Sequence, residues 1–213
     1  MKSTKKRVIV SSIVCFLLVV FILLAILQKV KVELVIDKKI SEWFSHVSTS
    51  WWIEFLKVFT YLGSIYTLAI ITLSMLFFKN KWIGCVASMS LLIASLLNVA
   101  IKYIIRRPRP EISVIDEIGY SFPSAHAMLT MVVLGFVAYL VIKFVKNKWL
   151  KVGLTSLLGL VIFFVGLSRV ILGVHFFTDV LAGWIIAIPI LIAEISLCNF
   201  LMKNPIKPNK RLI

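Results

Sequence analysis

Two stretches of this chain hold residue types that bind phosphate and move protons. The first starts at Lys102, passes through Arg106-Arg107-Pro108-Arg109-Pro110 and, after an acidic segment, reaches Ser121-Phe122-Pro123-Ser124-Ala125-His126. The second runs from Ser168-Arg169 to His175 and Asp179. Lys102, Arg109 and Arg169 each offer fixed positive charge and several donors, the means of binding a phosphate dianion and stabilising its transition state. One such base at the end of an apolar helix usually just carries its charge to the polar layer. Three of them interleaved with two histidines are not explained that way.

His175 and Asp179 are four residues apart, so they share a face if a helix begins there. The carboxylate then holds one imidazole nitrogen, fixes the tautomer and leaves the other nitrogen free to attack phosphorus. The plainer alternative is a helix start capped by Asp179, with His175 merely interfacial. His126 follows Pro123-Ser124-Ala125, where Ser124 caps a helix and the first-turn N–H groups face an anion. A histidine at that point can protonate a leaving oxygen, or it is an interfacial residue after an ordinary Pro-Ser helix start. The third histidine, His46, lies among aromatic residues and is given no role.

The elements that must position these groups are membrane helices. Of 213 residues, 61% are hydrophobic and 15% charged, with a mean hydropathy of +1.02, far from the composition of soluble domains. The apolar residues come in blocks, which excludes a disordered tail, a secreted disulfide scaffold and a single-anchor protein. Cys15, Cys85 and Cys198 are an odd number, all within apolar runs, so neither a disulfide framework nor a metal site is expected.

Crossing the hydrocarbon takes roughly 20 mostly apolar residues. Six candidate spans lie near Val8 to Leu27, Val58 to Phe78, Trp82 to Ile101, Ala127 to Val145, Val152 to Leu167 and Val180 to Met202. The first is too long for a signal peptide, and Gln28-Lys29-Val30-Lys31 supplies no cleavage site. Six spans put the N-terminus, the 79–81 turn, the 143–151 connection and the C-terminal tail on one side. That side carries fourteen bases, from Lys2 to Arg211, and no acid; the other connections carry ten bases and eight acids. The positive-inside bias makes the first side cytoplasmic, both termini included, and explains the net charge of +15 without nucleic acid. Ile40, Trp43, Phe44, Val47 and Trp51 recur at three- or four-residue steps, as in a helix lying flat on the outer interface.

The motifs Lys102-x6-Arg109-Pro110, Pro123-Ser124-x-His126 and Ser168-Arg169-x5-His175-x3-Asp179 follow one another on successive spans. Together they resemble the type-2 phosphatidic acid phosphatase superfamily of membrane lipid phosphatases. The motif-bearing core is 102–179, and the six-span layout extends the resemblance over nearly all of residues 1–213, read as one domain. The resemblance implies an all-α polytopic fold and a phosphatase without metal or cofactor. In it, His175 attacks phosphorus to form a phosphohistidine, Asp179 orients it, and His126 protonates the leaving lipid oxygen and then activates water. Lys102, Arg109, Arg169, Ser124 and the backbone at Ala125 bind the phosphoryl oxygens. Ala125 stands where the family often has glycine, so the loop is expected to use an ordinary backbone angle.

The expected partners are a lipid phosphate or diphosphate and the surrounding membrane lipids, with no nucleic acid. Undecaprenyl diphosphate ranks first, phosphatidylglycerophosphate close behind and phosphatidic acid third. The site is expected on the extracytoplasmic face of a bacterial plasma membrane. A transporter or flippase that binds anionic headgroups without hydrolysis is the alternative from another class; halide oxidation, known from soluble relatives, is disfavoured by the six spans. Arg106 and Arg107 are read as a solvated or headgroup-paired surface. Glu111, Asp116 and Glu117 form either a flap over the site or a soluble loop, and Asn98 and Glu194 have no catalytic role.

Overall fold

The computed structural model describes residues 2–32, 34–47, 50–111 and 113–203. The tail bases Lys207, Lys210 and Arg211 and the side chain of His46 lie outside the described part. The described chain forms eight α-helices: α1 (Lys2–Lys29), α2 (Val35–Val47), α3 (Ser50–Leu62), α4 (Ile65–Ser74), α5 (Trp82–Ile105), α6 (Ala125–Phe144), α7 (Lys148–Ile171) and α8 (Phe177–Lys203). Five of them, α1 and α5 to α8, are long and apolar enough to cross a bilayer. The membrane fold is therefore all-helical, as the hydropathy blocks require.

The second predicted span departs from expectation. Residues 58–78 are not one helix: α3 and α4, the latter extended by a 3-10 turn at Met75–Phe77, meet at a 43° bend and complete a sixth span only as a pair. The cause is local. A Cβ on Gly63 would lie 2.4 Å from Val165 Cγ1 on α7 and 3.3 Å from His126 Cδ2, so only glycine permits this approach. Ser64 then leaves helical angles (φ −68°, ψ 150°), and its hydroxyl accepts from Thr67 N at 3.2 Å to start α4. The interfacial stripe is also divided. Ile40, Trp43 and Phe44 lie on α2, whereas Trp51 belongs to α3, stacked on Trp52.

Helix α6 packs against α4, α5, α7 and α8, and α1 closes over α8 and α5. The inner core includes Leu68, Leu91, Ala94, Phe122, Met128, Val132 and Ala182. Small residues let the backbones approach: a Cβ on Gly183 of α8 would sit 2.8 Å from the Ser124 carbonyl, so α8 runs against the first turn of α6. Helix α5 ends where Arg106 turns left-handed (φ 57°) and donates its N–H to Lys102 O, with Pro108 following. Asn147 caps α7 through Leu150 N. The C-terminal ends of α5 and α7 and the N-terminal ends of α6 and α8 gather at one end of the bundle. There Val114 N donates to Leu172 O and Ser124 N to Asp179 O, each at 3.0 Å.

Candidate active site

The predicted residues reach this end from four helix termini and the loops between them: Lys102 closes α5, Ser124 to His126 open α6, Arg169 lies near the end of α7, Asp179 near the start of α8, and Arg109 and His175 sit in the connecting loops. Ser124, fully buried, is the N-cap of α6 and accepts from Ala127 N at 3.5 Å, with Ala125 and His126 opening the helix behind it. Lys31 and Arg106 are the non-glycine residues with positive φ among the described ones, so Ala125 keeps the ordinary angle expected of it. Asn98, one turn before Lys102 on α5, donates to Pro123 O at 3.2 Å and so steadies the loop leading into α6. Lys102 Nζ donates to the carbonyls of Tyr120, at 2.5 Å, and Ser121, at 3.2 Å. In this arrangement it grips the loop from below.

His175 lies between two kinds of neighbour. Its Nδ1 is 3.5 Å from Asp179 Oδ2, within ion-pair range but not aligned as a hydrogen bond, and its Nε2 is 3.4 Å from Arg109 Nη1. A guanidinium has only donors, so a bond there makes Nε2 the acceptor and leaves the proton on Nδ1, facing Asp179. The ring is 2% exposed. Burial, followed by the charges of Lys102, Arg169 and Arg109, holds its pKa well below the ordinary imidazole value, so the ring stays neutral. Arg109 is itself fixed by Val174 O at 2.7 Å and Gly119 O at 3.0 Å.

Glu117 resolves the choice between flap and soluble loop. Its carboxylate is clasped by Arg169 Nη2 and by Arg109 Nη2, the latter at 3.2 Å. Burial opposes its ionisation, but Arg169, then His126 and Arg109, outweigh it and hold the carboxyl below its usual range. Arg169 is fully buried, and its Nε and Nη1 have no protein partner. An anionic group with two oxygens thus occupies the space between the two arginines, one of which also reaches Nε2 of His175.

Two residues escaped the sequence reading. Arg107 is no solvated surface: it is 7% exposed, its Nη1 donates to Asp179 Oδ1 at 2.6 Å and Thr178 Oγ1 at 2.9 Å, and its Nη2 donates to Asp37 Oδ2 at 2.7 Å. The guanidinium also lies 3.9 Å over the Phe176 ring. Arg106, by contrast, stays exposed, and its Nε donates to Tyr103 O at 3.0 Å. Asp37, in the first turn of α2, is 3% exposed and accepts from Thr178 N and Oγ1 at 2.9 and 2.6 Å. The doubled Arg-Pro in 107–110 was the available signal for Arg107; Asp37 had none, because its partners are 70 and 141 residues away.

Comparison with known proteins shows the family. Residues 83–202 match the PAP2 superfamily model. The chain is 33% identical over 155 residues to phosphatidylglycerophosphatase B of Bacillus subtilis (strain 168), an alignment covering 70% of this chain and 76% of that one. Its fold matches the crystal structure of a transmembrane PAP2-type phosphatidylglycerolphosphate phosphatase from Bacillus subtilis, with a TM-score of 0.77 and 29% identity over 92% of this chain and 98% of the other. Aquifex aeolicus LpxE shares the fold at a TM-score of 0.65 and 20% identity, over 77% of this chain and 97% of that one. With motif residues from four helix ends and the loops between them gathered into one basic, histidine-bearing cluster, and with most of its length accounted for by these relatives, the chain belongs to the PAP2 superfamily and is a membrane lipid phosphatase.

Proposed function

We propose that this phosphatase, a single domain over residues 1–213, hydrolyses a lipid phosphate monoester or diphosphate through a phosphohistidine on His175. The observation that carries the reading is the seat between Arg109 and Arg169, occupied by the Glu117 carboxylate and bordered by His175 Nε2. A phosphoryl group replacing that carboxylate meets the same donors, joined by the unpaired Nε and Nη1 of Arg169. Ser124, the backbone at Ala125 and Lys102 complete the phosphate-binding set, Lys102 once the loop carbonyls it holds have moved.

The Nε2 lone pair forms the N–P bond while the P–O bond to the lipid breaks, and His126 gives its proton to the departing oxygen. Asp179 keeps the Nδ1 proton in place and balances the positive charge that develops on the ring. His126, now neutral, takes a proton from water. The resulting hydroxide breaks the N–P bond and releases phosphate, which restores His175. No step needs a metal.

Among substrates, the names of the relatives favour phosphatidylglycerophosphate over undecaprenyl diphosphate, the reverse of the order given by the motifs alone, with phosphatidic acid third. The distribution of bases supports an extracytoplasmic site in the plasma membrane and cytoplasmic termini. A cysteine introduced at Val114 should then react with an impermeant reagent outside intact cells, and one at Asn147 should not.

The deciding experiment is phosphate release by the purified protein in detergent with EDTA, comparing wild type and His175→Ala on the three lipids. Wild type is expected to turn over and His175→Ala to lose essentially all activity. More than about a tenth of wild-type activity in that variant would refute the nucleophile assignment. Folded wild type that binds these lipids but releases nothing would favour headgroup transport.

A further inference from the structure

Resting on the phosphohistidine reading, we infer that Arg107 and Asp37 are positioning residues that set the orientation and effective charge of Asp179 behind the nucleophile. Arg107 Nη1 holds Asp179 Oδ1 at 2.6 Å. That leaves Oδ2 to accept from Phe176 N at 3.0 Å and to face His175 Nδ1 at 3.5 Å. Arg107 therefore decides which carboxylate oxygen looks at the imidazole.

Asp37 decides how much charge that oxygen carries. An arginine held by Asp179 alone would neutralise it, and the cation forming on His175 would meet a carboxylate already satisfied. Asp37 shares the guanidinium through Nη2, so the two carboxylates and one guanidinium together carry a single negative charge. When the ring becomes positive, that cluster is its balance. Burial makes the balance matter, since side-chain exposures of 8%, 4% and 0% for Arg107, Asp37 and Asp179 leave little water to screen it.

Asp37 belongs to α2, outside the motif-bearing core, and its Oδ1 also accepts from Thr178 N in the first turn of α8. The amphipathic helix is thereby fastened to the segment that carries Asp179. Because removing one partner of a buried charge pair can unfold a protein, the informative variants are the near-isosteric Asp37→Asn and the charge-keeping Arg107→Lys.

The test is steady-state phosphate release from phosphatidylglycerophosphate by the full-length protein in detergent, with vanadate inhibition as an independent measure of phosphate-seat affinity. Asp37→Asn and Arg107→Lys are each expected to lower kcat about tenfold to a hundredfold, the usual range for partners one shell out. KM and the vanadate inhibition constant should stay within about threefold of wild type, because the seat itself is untouched. The double variant should lose little more than either single one, as both act through Asp179.

Wild-type kcat in both variants, or losses confined to KM and thermal stability, would reduce the pair to structural supports and overturn the inference. Additive losses in the double variant would overturn it too. His175→Ala separates the two levels: if it keeps turning over, the phosphohistidine reading falls, whereas a dead His175→Ala beside a normal Asp37→Asn removes only the role of Asp37 and Arg107.

Discussion

Helices α1 and α6 show how differently apolar residues are used in one membrane protein. The spanning part of α1 has a mean hydropathy of 3.2, yet only 6% of its most apolar window is buried in the protein; α6 is less apolar, at 2.2, and half of its window is buried. In water the order would be reversed, because burial there follows apolarity. In lipid the outer surface can be as apolar as any core, so the helix richest in Val, Ile and Leu can stay outside. The inner helices carry small and polar residues because backbone approach and the site require them. Helix α1 makes the point in itself: Phe16 is 68% exposed, whereas Phe21, on its inner side, stacks on Phe122 of the loop leading into α6.

That contrast is open to attack by substitution, and the largest effect is expected deepest inside. Asp179→Asn keeps the shape of a fully buried residue but, on the proposed phosphohistidine mechanism, removes the charge that balances the ring as it turns positive, and kcat should fall about 10³- to 10⁴-fold. Stopped-flow or steady-state turnover on protein of unchanged melting temperature would show it; a loss below tenfold would mean that the inner polar residues matter mainly for packing. Next is Gly183→Leu on α8, whose first side-chain carbon already meets the Ser124 carbonyl at 2.8 Å. Overpacking there should cost about 1–3 kcal/mol, read as a lower melting temperature, together with impaired turnover as the cap of α6 is pushed aside.

A smaller effect is expected at the mouth of the site. Glu117→Gln weakens the internal competitor for the two arginines, so KM and the vanadate inhibition constant should fall about threefold or more. The sign with pH follows from its lowered pKa: the contact is present above the ordinary carboxylate range and is lost only as pH falls through the lowered value. Between about pH 5 and 8, Glu117 should therefore impose no titration on KM. The neutral His175 likewise should impose no acid limb on kcat/KM near its ordinary value of about 6.5, but only well below it. An acid limb near 6.5 that moves on mutation of His175 would contradict this. The smallest effect is expected outside: Phe16→Ala on α1 should leave melting temperature and turnover unchanged within about 0.5 kcal/mol.

Much of the site was readable from the chain because its chemistry is local. A histidine and an aspartate four apart stay within reach of each other even though the helix starts between them, at Phe177, and leaves His175 in the preceding turn, and Pro-Ser before His126 announces the helix whose first turn it occupies. Arg107 was misread because a base beside three others at the end of a span looks the same whether it faces headgroups or two buried carboxylates. Glu117 was undecided for a similar reason: an acidic loop has no period, and its place depends on which arginines lie within reach.

The amino-acid sequence by itself determined that the chain lives in a bilayer, where its long apolar helices lie and which residues could handle a phosphate, since hydropathy and helical spacing act within a few turns. It also located the basic connections from which sidedness is argued. The tertiary structure decided what happens between segments far apart. It broke the second span where Gly63 meets Val165, seated Glu117 between Arg109 and Arg169, and carried Asp37 across 70 residues to share Arg107 with Asp179. Such contacts depend on how helix ends converge, and convergence is a property of packing that no local pattern encodes.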